Sequence, residues 1–293
     1  MGQRLRSWCS LGLGVLVALV GCSSSDSQPG DAGANVDVTT TADAPNANLD
    51  VATTADATDA TPAGITCSQT SATPIPADVT QALLVVTPTW TATQGTLARH
   101  TRPPGGSWTV GGSAIPVVVG AAGLGWGRGL HGGGPPAGCA GPTKQEGDHR
   151  SPAGGFTLGA VYGDTPGAGS YPYTLITSSW RCPDDPTSAY YNQVLDQNTV
   201  TPDWSSAETM LRADGLYHWV VFVDHNTGPP VPGAGSCIFI HIWEGPSSPT
   251  VGCTGLSLAT LEGVLAWLDP PHAVMVTLPK PIYDAVRTAW RLP

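Results

Sequence analysis

Cys253 and His241 are the two residues of this chain best suited to covalent chemistry. A cysteine attacks a carbonyl carbon as its thiolate, and a neighbouring imidazole takes the proton. Cys253 lies in Thr250-Val251-Gly252-Cys253-Thr254-Gly255, where small neighbours let a substrate approach the sulfur. Backbone N–H groups around Gly252, Cys253 and Thr254 are expected to face a developing oxyanion. His241 is the one imidazole in the apolar run Cys237–Trp243. The reaction this pair suits is acyl transfer through a thioester.

Two elements must position the pair. In Cys237–Trp243 the alternation puts Ile238, Ile240 and Ile242 on one face and Cys237, Phe239, His241 and Trp243 on the other. Both faces are apolar apart from the imidazole, which predicts a covered central strand. After the Gly- and Pro-bearing loop Glu244–Pro249 and the cysteine segment, a helix is predicted over 258–268. Ser257 is its N-cap, Leu258, Leu261, Val264, Leu265 and Leu268 keep helical spacing, and Pro270-Pro271 ends it. Its amino end, a few residues past Cys253, is expected to lower the thiol pKa.

With these residues in view, the stretch resembles the catalytic core of the L,D-transpeptidase family (YkuD/ErfK type). Upstream, Gly147-Asp148-His149-Arg150-Ser151-Pro152-Ala153-Gly154-Gly155-Phe156 is similar to the family's Gly-Asp-x-Arg-Thr-Pro-x-Gly-x-Phe segment. Tyr217–Asn226, ending Asp224-His225-Asn226, is similar to one of its strands. The three segments keep the family's order and span roughly residues 82–280. Three departures stand out: Val251 where many members have a second histidine, Gly255 where many carry an arginine, and a shorter His-to-Cys spacing. The resemblance implies a mainly β, sandwich- or barrel-like domain with a few short packed helices, and Cys253 as nucleophile with His241 as base. It further implies peptidoglycan stem peptides as substrate, no cofactor, and acylation of the nucleophile by carbapenems. Gly252, Thr254, Asp148, Arg150, Asp224 and Asn226 are the candidates for oxyanion or substrate contacts. Hydrolysis of the same stem peptides or of wall-protein links, and a non-catalytic wall-binding role, are the alternative readings.

Composition sets the compartment. Arg4 and Arg6 precede the apolar run Leu11–Val20, too short to be a stable span, and Leu19-Val20-Gly21-Cys22 is similar to a bacterial lipoprotein signal. The expectation is a signal over 1–21, lipidation at Cys22 and a chain anchored in the cell envelope, facing the periplasm from the outer membrane. Residues 23–64 hold no Lys, Arg or aromatic residue, carry seven Asp, and nearly repeat Asp37–Ala44 as Asp50–Ala57. Such a segment buries too little apolar surface to fold and reads as a tether. The catalytic domain is expected over 65–293. A net charge of −10 with no basic stripe excludes nucleic-acid binding.

Of seven cysteines, Cys9 is expected to leave with the signal and Cys22 to be used by lipid, which leaves an odd number in an oxidising compartment. Cys253 is the expected free thiol. Cys67, Cys139, Cys182 and Cys237 would then form two disulfides in any of three connectivities.

The rest reads as strands over 82–87, 94–101, 154–163, 171–177, 216–224 and 273–278, a hairpin turning at Gly111-Gly112, and a Gly-rich loop over 123–143. His131 is expected to be an exposed loop histidine. A long surface loop over 181–204, a short helix over 205–213 and a last helix over 282–290 complete the pattern. No zinc-type His-x-x-x-His pair is present, nor Ser-x-x-Lys or Gly-x-Ser-x-Gly, and no metal is expected.

Overall fold

The computed structural model describes residue 67 and residues 74–166, 173–269 and 272–293. The signal, Cys22 and the tether all lie outside the described residues. The chain opens with β1 (Gln81–Thr87), β2 (Gln94–Thr101), β3 (Thr109–Val110) and β4 (Ile115–Val118). Short strands β5 (Leu124–Trp126), β6 (Arg128–Gly129) and β7 (Gly132–Gly133) follow. Then come the long β8 (Ser151–Gly163), β9 (Tyr173–Leu175), β10 (Trp180–Pro183), β11 (Leu195–Asp196) and β12 (Ala207–Thr209). β13 (Trp219–Val223), β14 (Phe239–Ile242), β15 (Thr254–Leu256), α1 (Leu258–Trp267), β16 (Ala273–Pro279) and α2 (Lys280–Val286) complete it.

The domain is mainly β, as expected. The strand order β1-β16-β8-β13-β14-β15-β4-β2 closes, because β1 pairs with both β16 and β2. Closure leaves these strands no unpaired edge. β10, flanked by β11 and β12, makes a separate three-stranded sheet.

Side-chain alternation on β13 and β14 divides two apolar clusters. Val221, Val223, Ile238 and Ile240 enter the main core with Phe156, Leu256 and the buried face of α1. Val220, Phe222, Cys237 and Phe239 enter a second cluster with Cys182, Met210, Tyr217 and Cys253. Each fully buried side chain of this size contributes about 1.5–3 kcal/mol. The two-faced strand read from 237–243 is therefore real, and Cys253 belongs to its second face.

Several local expectations change. Gly111-Gly112 does not turn a hairpin: β3 and β4 both pair with β2 and lie in succession along it. The Gly-rich 123–143 stretch contains β5, which runs parallel to β8, and the small β6–β7 hairpin. His131 is packed rather than exposed, its ring against Trp126, Phe156 and Trp290, with its pKa lowered to about 4 chiefly by burial. Residues 205–213 form no helix. An isolated nine-residue helix is marginal in water, and here Ala207–Thr209 pair with β10 instead. The 181–204 stretch is partly ordered as β10, β11 and a 3-10 turn at Gln197–Thr199. α2 starts at Lys280, with proline tolerated in its first turn, and ends at Val286, four residues earlier than expected. α1 matches its reading, capped by the Ser257 hydroxyl accepting from the Thr260 N–H. Among the described residues no helix is long and apolar enough to cross a membrane.

Candidate active site

β14 and β15 run parallel, with Ile240 opposite Thr254 and His241 opposite Gly255. This pairing places the cysteine, one residue before β15, beside the histidine strand. Both side chains line one cavity of about 260 Å³, together with Lys144, Asp184, Glu208, Arg212, Tyr217 and Gly252. Cys253 is the free cysteine of the described residues, and the pairs Cys67–Cys139 and Cys182–Cys237 are disulfides. The parity reading thus holds, and tertiary structure selects one of the three connectivities.

The sulfur is held from one side. It accepts the Phe239 N–H at 3.3 Å, and its own S–H points to the Cys237 carbonyl at 3.6 Å. The Cys253 carbonyl accepts from the Ser151 hydroxyl (2.8 Å) and the Thr250 hydroxyl (2.6 Å). Ser151 in turn accepts the Gly120 N–H at 2.9 Å. Gly252 has φ +155°, and a Cβ there would meet the Arg150 carbonyl oxygen at 3.1 Å, so glycine is required for this approach. The segment 147–151 therefore supports the cysteine through its backbone and Ser151. Ser151→Ala strips the Gly120 N–H of its partner in a buried setting. A loss of about 1–3 kcal/mol in urea unfolding is expected, with weaker Cys253 function.

Asp148 and Arg150 do this supporting work and do not line the cavity. The Asp148 carboxylate takes Lys144 Nζ (2.5 Å), the Gln145 N–H (2.8 Å) and the Arg150 N–H (2.9 Å). The Arg150 guanidinium turns to the carbonyls of Ala122 and Leu124 at 2.7 and 3.0 Å. Both side chains are engaged with the protein, and they form no mutual side-chain ion pair. Asp224 and Asn226 also fall outside the cavity. Asp224 accepts from the Thr157 hydroxyl at 2.7 Å. Asn226, with φ 58°, ties the 224–235 loop through Val231 and Gly235. Thr254 is buried within β15. The Gly252 N–H is turned toward the Thr250 hydroxyl at 3.2 Å. Of the six candidates for oxyanion or substrate contacts, only Gly252 lines the cavity.

The electrostatics differ from the expectation. β15 separates Cys253 from α1, whose amino end is already capped by Ser257. Burial pushes the Cys253 thiol well above its ordinary pKa, and the nearby Glu208 carboxylate raises it further. The Phe239 N–H, Lys144 and the adjacent Tyr217 hydroxyl pull it down by less. Cys253 therefore rests as a neutral thiol. His241 Nδ1 lies 2.7 Å from the Ile242 carbonyl, which only accepts, so Nδ1 carries the proton and Nε2 keeps its lone pair. Burial lowers this imidazole to about 4. The ring is neutral at pH 7 and able to take a proton.

Tyr217 and Glu208 were missed in the sequence. The Tyr217 ring packs edge-on against His241 and Phe239, with centroids 5.2 and 5.5 Å away. Its hydroxyl donates to Glu208 Oε2 at 2.6 Å. Glu208 had been read into a helix that does not form. Tyr217 sat at the start of a recognised strand, and that position was its only signal.

The Cys182–Cys237 disulfide joins the small sheet to the start of the β14 segment and so fixes one wall of the cavity. It closes a separation of 55 residues. Removing it in a C182A/C237A variant is expected to lower stability by about 4 kcal/mol, read as a fall in the urea midpoint.

No family model matches the chain, and no curated protein matches it. Among solved structures the chain is similar to the helical cell shape determining protein Pgp2 from Campylobacter jejuni. The identity is 15%, the TM-score is 0.31, and the match covers 69% of this chain and 48% of that one. The chain thus matches about half the length of that protein.

Proposed function

We propose that the protein is a cysteine acyltransferase of the L,D-transpeptidase type, acting on peptidoglycan stem peptides in the cell envelope. The observation that carries this reading is a neutral imidazole on β14 and a free thiol one residue before the parallel β15, both lining one cavity, while the four other described cysteines are paired. The resemblance of the 147–156, 217–226 and 241–255 segments to the transpeptidase core supplies the substrate class.

The reaction runs in two halves. His241 Nε2 takes the Cys253 proton as the sulfur attacks a stem-peptide carbonyl, at the bond before the terminal D-amino acid. The C–N bond breaks, the imidazolium returns its proton to the leaving amine, and a thioester remains. An amine then attacks the thioester, loses its proton to His241, and the thiol re-forms. Water in the same place makes the enzyme a carboxypeptidase. One observation favours this second outcome: a Cβ at Gly255 would meet Val118 Cγ2 at 2.8 Å and Trp243 Cβ at 3.1 Å. No arginine fits there to hold the substrate carboxylate that many family members grip.

The test is incubation of the purified protein with tetrapeptide muropeptides, followed by mass spectrometry. Release of the terminal D-amino acid is expected, with cross-linked dimers naming an amine acceptor and tripeptides naming water. Intact substrate, together with no carbapenem adduct on Cys253, would leave only a wall-binding role.

A further inference from the structure

The acyl-transfer step as written uses Cys253 and His241, yet a third ionisable group reaches the thiol. The Glu208 carboxylate receives the Tyr217 hydroxyl at 2.6 Å, and Tyr217 packs in one buried cluster with Cys253. All three line the cavity that holds His241. β12 carries Glu208, the segment before β13 carries Tyr217, and the small sheet is fastened to the β14 segment through Cys182–Cys237. The arrangement is built from three separate parts of the chain, and support of the cysteine backbone, already supplied by Ser151 and Thr250, does not require it.

We propose that Glu208, acting through the Tyr217 hydroxyl, is a positioning residue that governs whether the Cys253 thiol can lose its proton. When Glu208 is ionised, Tyr217 donates to it, and the carboxylate's charge opposes a second negative charge on the sulfur. When Glu208 holds a proton, that opposition ends and Tyr217 is free to donate to the thiolate. The proton moves on and off one carboxyl, and no bond other than O–H and S–H changes.

Charges around both ends fit this role. Enclosure of the Glu208 carboxyl, with help from Asp184 and Glu146, raises it to about 7, against the pull of Tyr217 and Arg212. Around Cys253 stand Glu208, Tyr217 and Lys144, with His241 across the cavity. Glu208 thus changes charge near neutral pH. The device rests on the acyl-transfer reading for its purpose, and its test does not use substrate.

The experiment is alkylation of the full chain by iodoacetamide across pH 6–10, with the Cys253 peptide resolved by mass spectrometry. Glu208→Gln is expected to move the Cys253 profile to lower pH and to speed alkylation at pH 8 by about tenfold, the equivalent of one pKa unit. Below pH 7, where Glu208 holds its proton, Tyr217→Phe is expected to slow alkylation by about threefold or more, since a donor to the thiolate is lost. In the Tyr217→Phe background, Glu208→Gln is expected to give a smaller gain than alone. An unmoved profile in Glu208→Gln overturns the proposal, as does an undiminished gain in the double variant. If Glu208→Gln does not fold, Tyr217→Phe decides alone, and an unchanged rate below pH 7 overturns it. A shifted profile in a protein that leaves muropeptides intact keeps the thiol gate and removes the acyl-transfer reading. Turnover with an unshifted profile does the reverse.

Discussion

Cys253→Ala is expected to lower D-amino acid release from tetrapeptide muropeptides by at least about a thousandfold, to the level of the uncatalysed reaction. Acyl transfer through a thioester has no route without the sulfur, and no second free thiol among the described residues replaces it. The fold should survive. The side chain is only 7% exposed, but the variant loses one small polarisable atom and two weak sulfur contacts at 3.3 and 3.6 Å. The carbonyl of residue 253 keeps its two hydroxyl donors, which act on the backbone. Circular dichroism and a urea midpoint close to wild type are the control. A variant that stays active would place the chemistry elsewhere.

His241→Gln is expected to reduce turnover by about a hundred- to ten-thousandfold, the range for loss of a positioned general base. The thiol rests protonated, so an acceptor for its proton is required at the moment of attack. Glutamine keeps much of the volume and an N–H for the Ile242 carbonyl, but offers no basic nitrogen. The loss should fall on kcat more than on KM, and single-turnover measurements of thioester formation would show it directly. pH supplies a second check. Burial holds the folded imidazole at about 4, whereas the unfolded chain protonates it near 6.5. The unfolded state therefore binds more protons between those values, and stability rises with pH across that window. His241→Gln should flatten this part of the urea-midpoint profile. A wild-type-like profile would mean that the imidazole is not buried as described.

Much of this molecule was legible before any coordinates. The period-two run at 237–243, the Ser257 cap, the spacing of Leu261, Val264 and Leu265, and the odd cysteine count are local facts. Local facts determine strands, helices and candidates for chemistry. Misreadings came where local preference was weak. Residues 205–213 have a helix-compatible pattern, yet pairing with β10 decides their form. Gly111-Gly112 resembles a turn, yet β2 is long enough to take both β3 and β4 along its edge. Asp148 and Arg150 occupy the family-like segment, but their side chains are spent on Lys144, Ala122 and Leu124.

By itself, then, the sequence determined the β-rich class, the capped helix after the cysteine, and Cys253 and His241 as the candidates for nucleophile and base. The tertiary structure decided which cysteines pair, that the thiol rests neutral, and that Glu208 and Tyr217 share its cavity. The reason is physical. Strand and helix signals depend on residues a few positions apart, whereas a pKa depends on burial and on charges a few ångströms away. Glu208 is 45 positions from Cys253 in the chain, and only the small β10–β12 sheet, fastened to the β14 segment by Cys182–Cys237, brings the two together.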